Sequence, residues 1–593
     1  MGVLRIQSFS GIIPVSGDRA LPDGFATESV NTFLYGHELK GLRPPLEVID
    51  VNPTTKKVLR IPKRTVGGDP DFPGVIPPPS YLGDSVWVQF TDPDTDIVRG
   101  QLIEDQYERY YFCSPTDGPT FNTYARMQLG LPAYKLGVAG PDISIDGTGF
   151  NAWAPTISSI TGGAAPVVTR AYVYTWVNEY GEESSPSLPV LGAGNANGVW
   201  NIANILDPTD TTPTGYPDYT KKYLYRTITG ASGQTTYYRV NEVALGTTTF
   251  ADDGAIMTDA VLSNSLLLES LNWQPPPDEL EGFIAMPNGF LIGFAGSDIY
   301  MSDPYHFHAW PPQYKQATET PVVGLGLIGQ TCVVCTQSYP TAITGVKPAT
   351  CSFTKITTGE PCLSRGSIVS TPDGVVYASQ NGLILVGSSG LSNVTRQLIT
   401  KEDWVRGYAP QFLRACRYQN GYLALRDIPD AAVNNSAFFI DPTELRVALT
   451  ELSDFDAAVN VQVDFWSGEV FLIEAEAIHR WDPPSEDLMP VLWKSKEFQY
   501  QFEENFGCYA VFWDQERASY VEYGEDILPI DETIRFIVRA NRQIVYDQEV
   551  PRNGKPVRLP SGFKHAIWQF ELRSRAPVYA LHIASTMKEL KAV

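Results

Sequence analysis

Two histidines set two residues apart are the most obvious place for chemistry. His306 and His308, in MSDPYHFHAWPP, would project from one face of a strand, and Asp298 and Asp303 are near enough in sequence to complete a metal-binding set. Pro304, Trp310 and two further prolines argue instead for a packed aromatic loop, and the chain holds six histidines and no HExxH. The stretch DPDTD places Asp92, Asp94 and Asp96 as a calcium loop would. Ile97 then stands where that loop needs glycine, and Ile103 where it needs a bidentate glutamate, so a solvated turn is predicted. Gly324, Gly326 and Gly329 spell GxGxxG, a phosphate-cradling pattern. The strand-like QTCVVC follows them, so no helix N-terminus is there to receive a pyrophosphate. Within that run Cys332 and Cys335 form a CxxC; three residues apart on a strand they face opposite ways, which predicts buried free thiols. The adjacent acids Glu182-Glu183 and Glu503-Glu504 read as exposed. A glycosidase needs two carboxylates across a cleft, which a sequence does not display. No GxSxG elbow is present. No catalytic, cofactor-binding or metal residue is assigned.

The elements that must carry these residues are strands. Short runs rich in Val, Ile, Tyr and Thr alternate with turn residues throughout, and 46 Pro and 49 Gly are spread along 593 residues. Helical periodicity is confined to QLITKEDWVRGY (397–408) and the final STMKELKA. Asn288-Gly289, Gly329-Gln330, Asp373-Gly374, Asn420-Gly421 and Ser467-Gly468 each precede an apolar strand, with the glycines 40, 45, 47 and 47 residues apart. That period predicts propeller blades. From 150 to 255, strands at regular turn-bounded spacing predict a sandwich of the fibronectin type III kind, with Tyr172, Tyr174 and Trp176 on the inner face of a half-buried strand.

The predicted class is therefore all-β and multidomain: an N-terminal β-rich platform (1–138) that can lend strands to the propeller, a sandwich (139–255), a β-propeller (256–490) and a C-terminal β-sandwich (491–593). Residues 70–84 read as a Pro-rich loop and 129–142 as a linker. Seven cysteines in a chain this long do not suggest a disulfide framework. No segment reads as a membrane helix or a secretory signal. The net charge of −23, without a basic cluster, argues against gripping nucleic acid by its phosphates; it suits solubility, or a surface that nucleic acid passes without adhering.

Several stretches in order resemble one family. LPDGFATESVNTFLYGHELKGLRPP (21–45), DTDIVRG, ERYYFCSPTDGPTFNTY and LGLPA resemble the opening of tail nozzle proteins of short-tailed bacteriophages, the tail tubular protein B type. YVYTWVNEYGEESSPS resembles that family's inserted sandwich, NGFLIGFAGSDIYMSDPYHFHAWP its propeller blade, and LPSGFKHAIWQFELRSRAPVYALHIASTMKEL its C-terminal end.

The resemblance implies a structural virion protein at the distal end of the tail, made in the host cytoplasm and without catalysis. It implies a homohexameric ring below an adaptor ring, next to tail fibre or spike proteins, whose channel conducts and gates double-stranded DNA during ejection. Two other readings compete: a receptor- or polysaccharide-binding protein carried by the 150–255 sandwich, and a tail-borne glycan-degrading enzyme.

Overall fold

The computed structural model describes residues 3–591 except 35–37, 64–84, 102–104, 142–152, 209–214, 230–234, 389, 429–435, 442–447, 454, 456, 485–487, 515–520, 524–525, 529–532 and 561–563. The Pro-rich loop at 70–84 and Ile103 lie outside the described residues. The chain is an all-β, multidomain protein whose helices are single turns.

Among the described residues, seven small antiparallel sheets stand round one axis. Their innermost strands are, in order, Lys57–Pro62, Asp96–Arg99, Gly282–Met286, Val322–Ile328, Val369–Thr371, Leu413–Tyr418 and Ala458–Val463. Each of the five periodic glycines lies at the turn between the first and second strand of its blade, as Gly289 does ahead of Phe290–Ala295 and Gly468 ahead of Val470–Glu474. The last blade lacks its own fourth strand. Leu46–Asp50 supplies it, pairing antiparallel with Ala477–Arg480, so the N-terminal region closes the ring.

GxGxxG turns out to be a packing device. Gly324 and Gly326 lie on an inner strand, and a Cβ at Gly326 would meet Val375 Cγ1 of the next blade at 2.4 Å. Cys332 and Cys335 divide between two cores as expected. Cys332 joins Met286, Phe290 and Ile292 on one side, and Cys335 joins Cys362, Val375 and Tyr377 on the other.

The sheet of the Leu413–Tyr418 blade does not stop at its fourth strand, Leu449–Leu452. Ala26–Val30 adds to it, then Val491–Ser495, His565–Ser574, Ile534–Ala540 and Gln543–Glu549. A second sheet of Leu4–Ile6, Val578–Ala584, Cys508–Trp513 and Val557–Arg558 lies over it. Phe9, Trp493, Tyr509, Phe536, Trp568 and Phe570 fill the space between. Both ends of the described chain are thus built into one sandwich.

The inserted sandwich has a sheet of three strands (Thr156–Thr161, Val199–Ala203, Phe250–Asp253) facing one of four, led by Val167–Asn178. Tyr172, Tyr174 and Trp176 point into its core beside Trp200. The strand is not half-buried, however. Val173, Thr175 and Val177 on its other face are buried too, because residues 183–185 and 263–272 cross that face; Glu183 there accepts from Thr175 and Ser270 hydroxyls. The predicted helix at 397–408 is one α turn, Lys401–Asp403, capped by the Thr400 hydroxyl and continued as π turns to Tyr408. It ends where Ala409 adopts φ +44°, a left-handed conformation that interrupts the helix. STMKELKA forms the helix Met587–Lys591.

Candidate functional site

DPDTD lies at the mouth of the propeller axis, and it is not a solvated turn. Asp92 orders the loop: its carboxylate accepts from the Asp94 N–H (2.9 Å) and from the Thr116 hydroxyl (3.1 Å). Asp96 meets Arg365 Nη2 at 2.6 Å and Asp94 meets Arg414 Nη1 at 2.9 Å. In each pair the two blades are separated by two others, so these ion pairs span the mouth. Arg365 also donates to the Glu281 carbonyl, and Asp96 accepts from the Phe283 N–H. Gly282 makes this crossing possible, since a Cβ there would sit 2.1 Å from Arg365 Nη2. Deeper in, Arg60 and Asp464 form a third pair at 2.6 Å, almost fully buried. Arg60, Asp464 and Asp96 line an axial cavity of about 360 Å³.

The histidines belong to the junction between propeller and inserted sandwich. His306 Nδ1 lies 3.2 Å from the Asp303 carboxylate Oδ2, which accepts from it, and its ring packs on Trp273 at 4.4 Å. His308 packs on the same indole at 5.3 Å and is 6% exposed. Asp298 pairs instead with Lys315 at 2.8 Å. Among the described residues no three or more His, Cys, Asp or Glu side chains converge to hold a metal ion.

Glu182, expected on an exposed segment, is buried here. It binds Arg109 at 2.6 Å and Asn178 at 2.9 Å, and Arg109 also binds Asp105. Glu183, its neighbour, turns the other way, onto the outer face of the sandwich beneath Ser270, where burial raises its pKa. Tyr180 completes the joint by entering between Tyr107, Phe121 and Tyr134 of the propeller. Of the second acidic pair, Glu503 is exposed at the end of Phe498–Glu504.

Burial brings the His308 pKa down to about 4, against the pull of Glu182, whose Oε1 lies 3.7 Å from Nδ1. His306 and Arg109 lower it further, and Asp303 opposes them. The folded state therefore resists protonation that the unfolded state accepts from pH 6.5 downward, so stability falls as pH drops from 6.5 to about 4. The full effect is about 3 kcal/mol. His308→Gln is expected to remove this part of the acid sensitivity. Melting curves of both proteins between pH 4 and 7 would be compared, and parallel pH profiles would refute the assignment.

A third feature is an apolar ledge. After Phe250–Asp253 the chain crosses the outside of the sandwich, turns through the short helix Asp259–Leu262 and runs beside Thr235–Ala244. The Arg239 N–H donates to the Leu266 carbonyl (2.8 Å), and the Leu268 N–H donates to the Tyr237 carbonyl (3.1 Å). Leu262 points inward. Ile256, Val261, Leu266, Leu267 and Leu271 point outward, between 49% and 71% exposed. An ordered backbone thus holds five large aliphatic side chains in water within sixteen residues.

No protein-family model and no curated protein matches this sequence. Among solved structures the chain is similar to the N-terminal domain of Nup159, at 9% identity and TM-score 0.23, covering 42% of this chain and 86% of that one. It is similar to the AfRom2 CNH domain at 9% identity and TM-score 0.22, covering 49% and 90%. The extracellular domain of BT3049 from B. thetaiotaomicron gives 9% identity and TM-score 0.26, covering 80% and 66%.

The sequence offered little warning of the ledge or of the ion pairs at the axis. Arg365 and Arg414 stand alone in their segments, and their acids lie 269 and 320 residues away. The one available signal for the ledge was compositional: AVLSNSLLLESLNW, at 260–273, has apolar residues without strand alternation or a full helical face.

Proposed function

We propose that this chain is the subunit of a tail nozzle of a short-tailed bacteriophage, six copies enclosing a passage for double-stranded DNA at the distal end of the virion tail. The ledge at 256–271 carries this reading, because five aliphatic side chains held outward by an ordered backbone call for a neighbouring subunit. A ring requires each copy to present two different faces that close by rotation, and the ledge supplies one of them. The passage lies between copies. A propeller axis crossed by Asp96–Arg365 and Asp94–Arg414, with a cavity of small-molecule size, has no room for a duplex.

Charge supports the same reading. At −23 per chain, six copies carry −138, and acidic walls repel phosphates so that a passing duplex does not adhere. The interlocked frame suits a rigid wall: the propeller is closed by Leu46–Asp50, and Leu4–Ile6 and Ala26–Val30 are built into the C-terminal sandwich. Two of the stretches that resemble the nozzle family, 21–45 and 559–590, include strands of that C-terminal sandwich, Ala26–Val30, His565–Ser574 and Val578–Ala584. In this reading the chain performs no catalysis, docks on an adaptor ring, neighbours the tail fibres or spikes and reaches the host surface.

The test is cryo-electron microscopy of intact particles labelled with an antibody fragment against this protein. Label around a sixfold ring at the tail tip is the expected result. Label on peripheral appendages would replace this reading with the receptor-binding one, and unlabelled particles would remove the protein from the virion.

A further inference from the structure

Among the described residues, one cation of the axial cavity is left without a partner. Arg60 is taken by Asp464, Arg365 by Asp96, and Arg414 by Asp94 and, on its other side, Asp427. Lys57, at the start of the inner strand Lys57–Pro62, also lines the cavity, and among the described residues its amine makes no hydrogen bond or ion pair. The charges that act on it are Asp96, Asp94, Arg365 and Arg414, two acids and two guanidinium groups already joined to one another. Those four charges offset one another and leave the half-buried amine without a counter-charge, and burial lowers its pKa from that of a free amine.

Part of the remaining wall is apolar. Val463 and Phe465 are large hydrophobic side chains left 39% and 50% exposed, and both line this cavity together with Ile284 and Leu325. The spacing between cation and apolar wall follows from strand register. Asn460 binds the Lys56 carbonyl and Gln462 bridges the N–H and carbonyl of Val58, so Lys57 lies level with Val461. Val463 is two residues further along the strand, about 7 Å, and Phe465 stands in the turn that follows it.

We infer that the propeller axis binds a slender organic carboxylate, with its anionic head on Lys57 Nζ and its apolar body against Val463 and Phe465. The carboxylate supplies the counter-charge that the cavity lacks, and the body covers the two exposed side chains. A wholly polar anion would leave Phe465 in water, and a neutral chain would leave Lys57 unpaired. This site is independent of the nozzle reading and would exist in a single chain.

The test is calorimetric titration of the full chain with sodium octanoate below its micellar concentration, with 1-octanol as the neutral control of similar length. One octanoate per chain is expected, with octanol binding at least tenfold more weakly. Lys57→Met should weaken octanoate at least tenfold while leaving octanol unchanged, and Phe465→Ser should weaken both. Equal binding of octanoate and octanol, saturation at many molecules per chain, absence of a saturable heat, or unchanged octanoate affinity in Lys57→Met would each overturn the inference. The octanoate–octanol comparison on the unaltered chain decides the matter even if a variant fails to fold.

Discussion

Asp252→Ala is expected to destabilise the inserted sandwich by about 3–5 kcal/mol, the cost of leaving a buried charge without its partner. Arg226 and Asp252 are both fully buried, 2.5 Å apart, and the Tyr172 hydroxyl donates to the same carboxylate oxygen at 2.7 Å. Without Asp252 the guanidinium would keep the Met257 carbonyl and a longer contact to Asp259, itself half exposed. A domain of this size has about 5–15 kcal/mol in all, so the loss takes a large part of its stability. Combining Asp252→Ala with Arg226→Met should recover most of it, since an apolar pair of similar volume carries no desolvation penalty. Hydrogen exchange of strand Val167–Asn178 in the full chain reads the effect locally. A single variant within 1 kcal/mol of the parent would mean that the pair carries little net stability.

Placing glutamate at both Leu266 and Leu267 should leave the chain folded and abolish the proposed ring. At 61% and 49% exposure these side chains contribute little to the monomer, so each change there is expected to stay within about 0.5 kcal/mol. Across a closed interface the same charges would be desolvated without partners, at about 2–5 kcal/mol per contact. A closed ring repeats that cost at every junction. Sedimentation of the variant, and its incorporation into particles, would report the loss. Undiminished rings would remove the ledge from the interface.

How far the sequence could be read depended on whether the deciding partner was local. Gly289, Gly329, Gly374, Gly421 and Gly468 announce five blades because each sits at a turn next to the strand it introduces. The first two blades were illegible as repeats. Lys57–Pro62 and Ser85–Phe90 are separated by a long connection, and the whole sandwich stands between Tyr134–Lys135 and Gly282–Met286. Nothing in LEVID announces that it completes a blade made of residues 458–480.

Side chains followed the same rule. Cys332 and Cys335 could be placed on opposite faces from strand geometry alone. Asp94 and Asp96 were misjudged because an acid in a turn looks the same whether water or a distant arginine neutralises it. Glu182 was misjudged likewise, its partner Arg109 being 73 residues upstream. Tyr172, Tyr174 and Trp176 gave the correct inner face of their strand, but the cover on the opposite face comes from residues 263–272, which alternation cannot reveal.

The strand that closes the propeller also sets a timetable. Leu46–Asp50 leaves the ribosome well ahead of its partner Ala477–Arg480, which follows more than 400 residues later. At about 5–20 residues per second, the early strand waits roughly 20–80 s with its edge unpaired. The inserted sandwich, contiguous in sequence, is complete well before then and can fold on its own schedule. Slow synthesis or a crowded polysome would therefore favour pairing of that waiting edge with the strands of a neighbouring nascent chain.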